Sequence, residues 1–264
     1  MKINVDGTGI NVQQQGCGEL ALVFLHYYGG SSRTWTGIIN HLPDHYRSVA
    51  IDHRGWGESD RPLTGYSIAD LARDVEGVIS LLNLKRFILI GHSMGGKVAQ
   101  LIASHRPDGL EGLVLVAPSP PSPMLLSIEQ RETLCGAYGS RESIEFVLDN
   151  VLSARPINHA LREQVIEDSL KASDEAKAAW PNIAISEDIT EEVALINVPV
   201  TVISGELDRV DTIVMLQAEL LPRISRASMH IIPGVGHLSP LEAPKEVAEY
   251  ILEFIKSVEN NSAI

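Results

Sequence analysis

A serine hydroxyl attacks a carbonyl only when a base takes its proton and a carboxylate holds that base in the right tautomer. One stretch suits the first role: Gly91-His92-Ser93-Met94-Gly95-Gly96, placed between an apolar strand pattern and a segment of helical period. Glycines on both sides of Ser93 let the chain make a strained strand-to-helix turn that exposes the hydroxyl, and the helix start aims N–H groups at developing negative charge. Of the nine histidines, His237 is the candidate base, because Gly234-Val235-Gly236-His237 follows the last strand pattern and precedes the last helix. His41, His45, His105, His159 and His230 fall within or beside helical or strand patterns and read as surface or packing residues; His53 and His92 adjoin other motifs and stay open. The candidate acid is Asp208, just past a strand in Gly205-Glu206-Leu207-Asp208, with nearby Glu206 and Asp211 expected to be solvated loop charges.

Acyl transfer also needs donors for an oxyanion. The N–H of Met94, next after the serine, supplies one. The other is expected from the loop after an early strand, His26-Tyr27-Tyr28-Gly29-Gly30, with Tyr28 chosen over Tyr27.

These residues must be held by a sheet. Short apolar runs at Leu20–Leu25, Arg47–Ile51, Arg86–Ile90, Leu113–Ala117, Pro199–Ser204 and Ala227–Ile232 alternate with segments of helical period at Ser67–Leu82, Met94–His105 and Pro244–Lys256. That alternation predicts an α/β fold with a mostly parallel sheet of about eight strands flanked by helices. Lys2–Val5 and Ile10–Gln15 flank Asp6-Gly7 and predict an antiparallel hairpin at one edge. After the proline-rich Pro118–Pro123, no strand pattern appears from about Ser127 to Val193. Residues 1–120 and 195–264 are therefore expected to form one core domain, with 121–194 a helical cap over the carboxyl edge of the sheet.

Taken together, the His26 loop, Asp52-His53-Arg54-Gly55-Trp56-Gly57-Glu58-Ser59, the serine turn, Asp208 and His237 resemble the α/β-hydrolase fold family, of the lidded, single-domain esterase and lactonase type. The resemblance spans nearly the whole chain, and the order serine, acid, histidine is that family's. It implies a serine hydrolase that cleaves a small carboxylic ester or lactone through an acyl-enzyme. The same triad also serves carbon–carbon bond hydrolases, lyases and perhydrolases, and some relatives bind ligand as receptors with slow turnover, usually with a damaged triad, whereas this one is complete. Dehalogenases and epoxide hydrolases of this fold carry aspartate at the turn, so Ser93 argues against both. One departure is Tyr27, where the family has glycine; a bulky residue there reshapes the oxyanion loop or adds a phenol to the pocket. Asp52–Ser59 reads as a structural turn. Met124, with Leu125, offers an apolar lining, and Trp180, before Pro181, either enters the pocket or packs lid to core.

Composition narrows the partners. The chain has 264 residues, 44% apolar content and 34 acidic against 21 basic residues, a formal charge of −13 that repels nucleic acid and anionic membranes and tilts toward a neutral or apolar small-molecule substrate. No ligand-spaced cluster or phosphate-cradling loop appears, so no metal or organic cofactor is expected. Cys17 and Cys135 read as two reduced packing thiols, and the start Met1-Lys2-Ile3-Asn4-Val5 lacks a secretory apolar run, which together predict a cytoplasmic protein. Sequence leaves open whether the chain forms a homo-oligomer.

Overall fold

A computed structural model describes residues 1–225 and 227–262. Eight strands form one sheet: β1 (Lys2–Val5), β2 (Thr8–Gln15), β3 (Leu20–Leu25), β4 (Arg47–Ile51), β5 (Arg86–His92), β6 (Leu110–Val116), β7 (Val200–Gly205) and β8 (Ala227–Ile232). Their spatial order is β1-β2-β4-β3-β5-β6-β7-β8. The β1–β2 and β2–β4 pairs are antiparallel and all others parallel, as the hairpin and the crossover pattern predicted. Boundaries moved modestly: β6 starts three residues before the apolar run, and β5 continues through Gly91 and His92 to reach the serine turn.

Every residue of β3 is buried, because the strand has helices on both faces. Its alternate residues divide accordingly. Ala21, Val23 and Leu25 join the apolar cluster shared with helices Ile68–Leu81 and Met94–His105, whereas Leu20, Leu22 and Phe24 join the cluster under helix Pro244–Ser262. Helix Ile68–Leu81 starts on a reciprocal capping box, in which the Ser67 hydroxyl accepts from the Asp70 N–H and the Asp70 carboxylate accepts from the Ser67 N–H. From that helix Asp74 receives two 2.6 Å hydrogen bonds from the Arg54 guanidinium, with both side chains largely buried. Asp74→Ala leaves the guanidinium uncompensated, and chemical denaturation should show a loss of about 3 kcal/mol; a loss under about 1 kcal/mol would contradict the pairing.

The segment between β6 and β7 is helical, with Ile128–Gly136, Arg141–Val147, His159–Lys171, Asp174–Asn182 and Thr190–Val193 joined by a π-turn over Leu148–Leu152 and shorter links. Its two ends meet: the Met124 N–H donates to the Ile185 carbonyl at 3.1 Å and that of Ile189 to the Pro121 carbonyl at 3.0 Å. Lys97, buried on the helix that begins at the serine turn, binds both ends through the carbonyls of Ser122 (3.4 Å), Ile185 (3.4 Å) and Glu187 (2.6 Å). The insertion also leans on the loops beyond the carboxyl ends of β3 and β4. Pro181, inside helix Asp174–Asn182, has no N–H to offer the Lys177 carbonyl one turn back, and that carbonyl instead accepts the Tyr28 hydroxyl at 2.7 Å. Beyond β4, the Gly55 carbonyl accepts from the Ser173 N–H at 2.9 Å.

The Asp52–Ser59 turn has the structural role expected of it: Asp52 accepts from the N–H of Ser32 (2.5 Å) and Glu58 (2.9 Å) and from the Asn11 amide (2.8 Å). The cysteines are both free, but Cys17 is exposed and therefore is no packing thiol; an edge loop beside Asp44 leaves it in solvent. Among the described residues, no helix is long and apolar enough to cross a membrane.

Candidate active site

Ser93 stands between β5 and helix Met94–His105 at φ 52°, ψ −115°, a conformation that costs a non-glycine residue about 1–3 kcal/mol. Main-chain bonds hold it there. Its N–H donates to the Val116 carbonyl, and its own carbonyl accepts from the N–H groups of Lys97 and Ser119, each at 3.1 Å. The flanking glycines are needed for close approach rather than flexibility: a Cβ at Gly91 would press on the Gly95 carbonyl, and one at Gly95 on the carbonyls of Leu25 and His26. The Ser93 side chain makes no hydrogen bond to another described residue, so its hydroxyl is not committed to the fold.

His237 follows β8 and is 2% exposed; its Nδ1 donates to Asp208 Oδ2 at 2.9 Å. Asp208 follows β7, and its other oxygen accepts from the N–H groups of Val210 (2.8 Å) and Asp211 (3.1 Å). Both carboxylate oxygens are thus engaged, which fixes the plane of the acid and, through it, the ring. Burial of the imidazole pulls its pKa down, but the adjacent Asp208 carboxylate, with Asp211 and Glu242 behind it, pulls harder and leaves it above the ordinary histidine value. The serine and histidine loops are joined by His92, whose Nε2 donates to the His237 carbonyl at 2.9 Å. A carbonyl can only accept, so Nε2 carries the proton.

Of the two acids expected to be solvated beside this pair, one departs from expectation. Glu206 is a solvated loop charge as read, accepting from the Gly234 N–H at 2.8 Å. Asp211 is not: it is fully buried, and burial pushes its carboxyl up to about 7. The Asx-like turn made by Asp208 points Asp211 inward, which no local pattern signals. Glu242 belongs to no sequence motif. One of its oxygens accepts from the N–H groups of Gly236 (3.0 Å), Ala154 (2.9 Å) and Arg155 (2.7 Å), clasping the histidine loop to the insertion.

The loop after β3 is set by His26, whose Nδ1 donates to the Tyr27 carbonyl at 2.7 Å and whose Nε2 accepts from the His53 N–H at 3.1 Å. The Gly30 N–H closes the turn onto the Tyr27 carbonyl at 3.0 Å. Among the described residues, the N–H groups of Tyr28 and Met94 donate to no other group. The Tyr28 ring packs with Trp56 (5.4 Å), Tyr138 (4.9 Å) and Trp180 (6.3 Å, stacked). Trp180 is buried in that cluster, and Met124 is half-buried against the same core. Tyr27 turns the other way, buried against His92 with ring centroids 5.1 Å apart. Among the described residues, no group of three histidine, cysteine or acidic side chains is arranged to hold a metal.

Comparison with known proteins agrees with this fold. Residues 22–250 match the profile of the alpha/beta hydrolase family, and the chain belongs to that family. Among curated proteins it is similar to the AB hydrolase superfamily protein YisY of Bacillus subtilis, with 28% identity covering 89% of this chain and 91% of that one. Among solved structures it is similar to a thermophilic esterase from Thermogutta terrifontis (TM-score 0.83, 27% identity, 98% of both chains). It is likewise similar to Est816, described as an N-acyl homoserine lactone degrading enzyme (TM-score 0.81, 27% identity, 96% of this chain and 100% of that one).

Proposed function

We propose that the protein is a serine hydrolase that cleaves a small, neutral carboxylic ester or lactone through an acyl-enzyme, with Ser93 as nucleophile, His237 as base and Asp208 as the acid that orients it. The observation that carries this is the buried His237–Asp208 hydrogen bond on the loop joined by His92 to the strained serine turn. His237 takes the Ser93 proton as Oγ adds to the carbonyl carbon, through a hydrogen bond that forms when substrate is bound. The oxyanion is received by the uncommitted N–H groups of Met94 and Tyr28. The imidazolium then returns its proton to the leaving alcohol, and water repeats the sequence to release the acid. Residues 121–194 act as a cap over this site, and Met124 and Trp180 bound the space for the acyl or lactone portion, whereas Tyr27 packs against His92. The likeness to the Thermogutta esterase and to Est816 supports ester or lactone chemistry.

A fluorophosphonate tests the reading directly. The reagent should add once, on the peptide containing Ser93, and abolish turnover of p-nitrophenyl acetate and γ-butyrolactone together. Hydrolysis that survives complete modification of Ser93, or a single adduct at another serine, would overturn it.

A further inference from the structure

Asp211 is a buried carboxyl that nothing in the triad requires. It is 0% exposed; among the described residues Oδ1 has no hydrogen-bond partner, and Oδ2 receives only a long 3.4 Å bond from the Ser119 hydroxyl. Its position is not remote from the chemistry. Its own N–H donates to Asp208 Oδ1, and the Ser119 N–H donates to the Ser93 carbonyl. Lys97, the cation whose charge it feels, is committed to three carbonyls at the ends of the insertion. A buried carboxylate with one weak donor and no cation in contact takes up a proton rather than stay charged.

We propose that Asp211 is a positioning residue for proton transfer, a second carboxyl whose ionisation adds to that of Asp208 and sets the pH range over which His237 is free to act as base. This rests on the triad reading above. Four groups face His237: Asp208, which is bonded to it, Asp211, Glu242, committed to three N–H groups, and His92, which burial keeps neutral well below its ordinary pKa. Facing Asp211 are His237, Asp208, Ser119 and Lys97. Burial keeps His92 neutral across neutral pH, whereas the charge of Asp211 changes there. Its carboxyl, pushed up to about 7 by burial, is neutral on the acid side of that value and charged above it. The negative charge it gains on ionising raises the pKa of His237. Two protons are therefore coupled, and the acid limb of the pH–rate profile belongs to the pair.

Asp211→Asn keeps the shape of the neutral carboxyl and removes its ionisation. With p-nitrophenyl acetate between pH 5 and 9, the acid limb of kcat/KM should move to lower pH by about half a unit or more, with plateau kcat within about threefold of wild type. A second readout follows from linkage. The native pKa of Asp211 lies above its unfolded value of 3.8, so in wild type this group's ionisation lowers stability as pH rises from about 4 through about 7. The variant escapes that loss, and its Tm relative to wild type should climb over the same interval. Ser119→Ala, which removes the donor to Oδ2 and favours the protonated form, should shift the limb in the same direction by less and serves should the asparagine variant fail to fold. A limb that superimposes on wild type, or activity lost equally at all pH, would overturn the inference. Running Ser93→Ala alongside separates the two ideas: turnover surviving in that variant removes the triad reading, whereas an inactive Ser93→Ala with an unshifted Asp211→Asn profile removes only the role of Asp211.

Discussion

Ser93→Ala should abolish the acyl-enzyme and reduce kcat on a neutral ester by about 10⁴-fold or more, leaving only the slow background that oxyanion donors and substrate binding sustain. The loss is chemical rather than structural. The Ser93 hydroxyl hydrogen bonds to no other described residue, so removing it strands no buried donor or acceptor, and alanine inherits the same positive φ that serine already tolerates. Thermal unfolding of the variant should therefore fall within about 2 °C of wild type. Stopped-flow release of p-nitrophenol from p-nitrophenyl acetate should show a burst in wild type and none in the variant. A variant that keeps more than about a tenth of wild-type kcat would place the nucleophile elsewhere.

Asp208→Asn should cost about 10⁴-fold in kcat with KM little changed, because its effect passes entirely through His237. The aspartate accepts three hydrogen bonds, from His237 Nδ1 and from the N–H groups of Val210 and Asp211. Asparagine has one oxygen and one NH2 in its place. If its oxygen stays with the two main-chain donors, the NH2 faces Nδ1 and stabilises the tautomer with the proton on Nε2, which cannot accept from Ser93. If it flips, the NH2 meets two N–H groups and the turn is disrupted. Either way the charge that raises the pKa of His237 is gone. Residual activity should consequently extend to lower pH than in wild type, and proton NMR of the ring should show its titration displaced downward. Loss of less than about tenfold would mean that another acid serves the base.

Much of this site was legible because its signals are local. Gly-x-Ser-x-Gly needs only the residues of one turn, whose close contacts with Gly95 and with the β3 carbonyls exclude side chains, and a strand that is apolar at every position announces its own burial on both faces. The proposed acid and base are legible because each follows a strand, and adjacent parallel strands bring their carboxyl ends to one edge. Position after a strand singles out Asp208 from Glu206 and Asp211 but carries no sign that Asp211 is buried as deeply as the pair itself.

The residue types and chain order of Ser93, Asp208 and His237, the alternating architecture and the helical nature of the insertion were fixed by the sequence on its own, since strand burial, helical period and turn chemistry are read within a few residues. Tertiary structure alone decided how the insertion is fastened and how the base is tuned. Tyr28 reaches the Lys177 carbonyl 149 residues away, freed by a proline whose consequence has no local sign. Glu242 ties the histidine loop to residues 87 and 88 positions earlier, and Lys97 closes the insertion through carbonyls up to 90 residues on. The physical reason is the same in each case. Whether a polar group is buried, and what then satisfies or fails to satisfy it, depends on which distant backbone arrives beside it, and for Asp211 what arrived was a single hydroxyl.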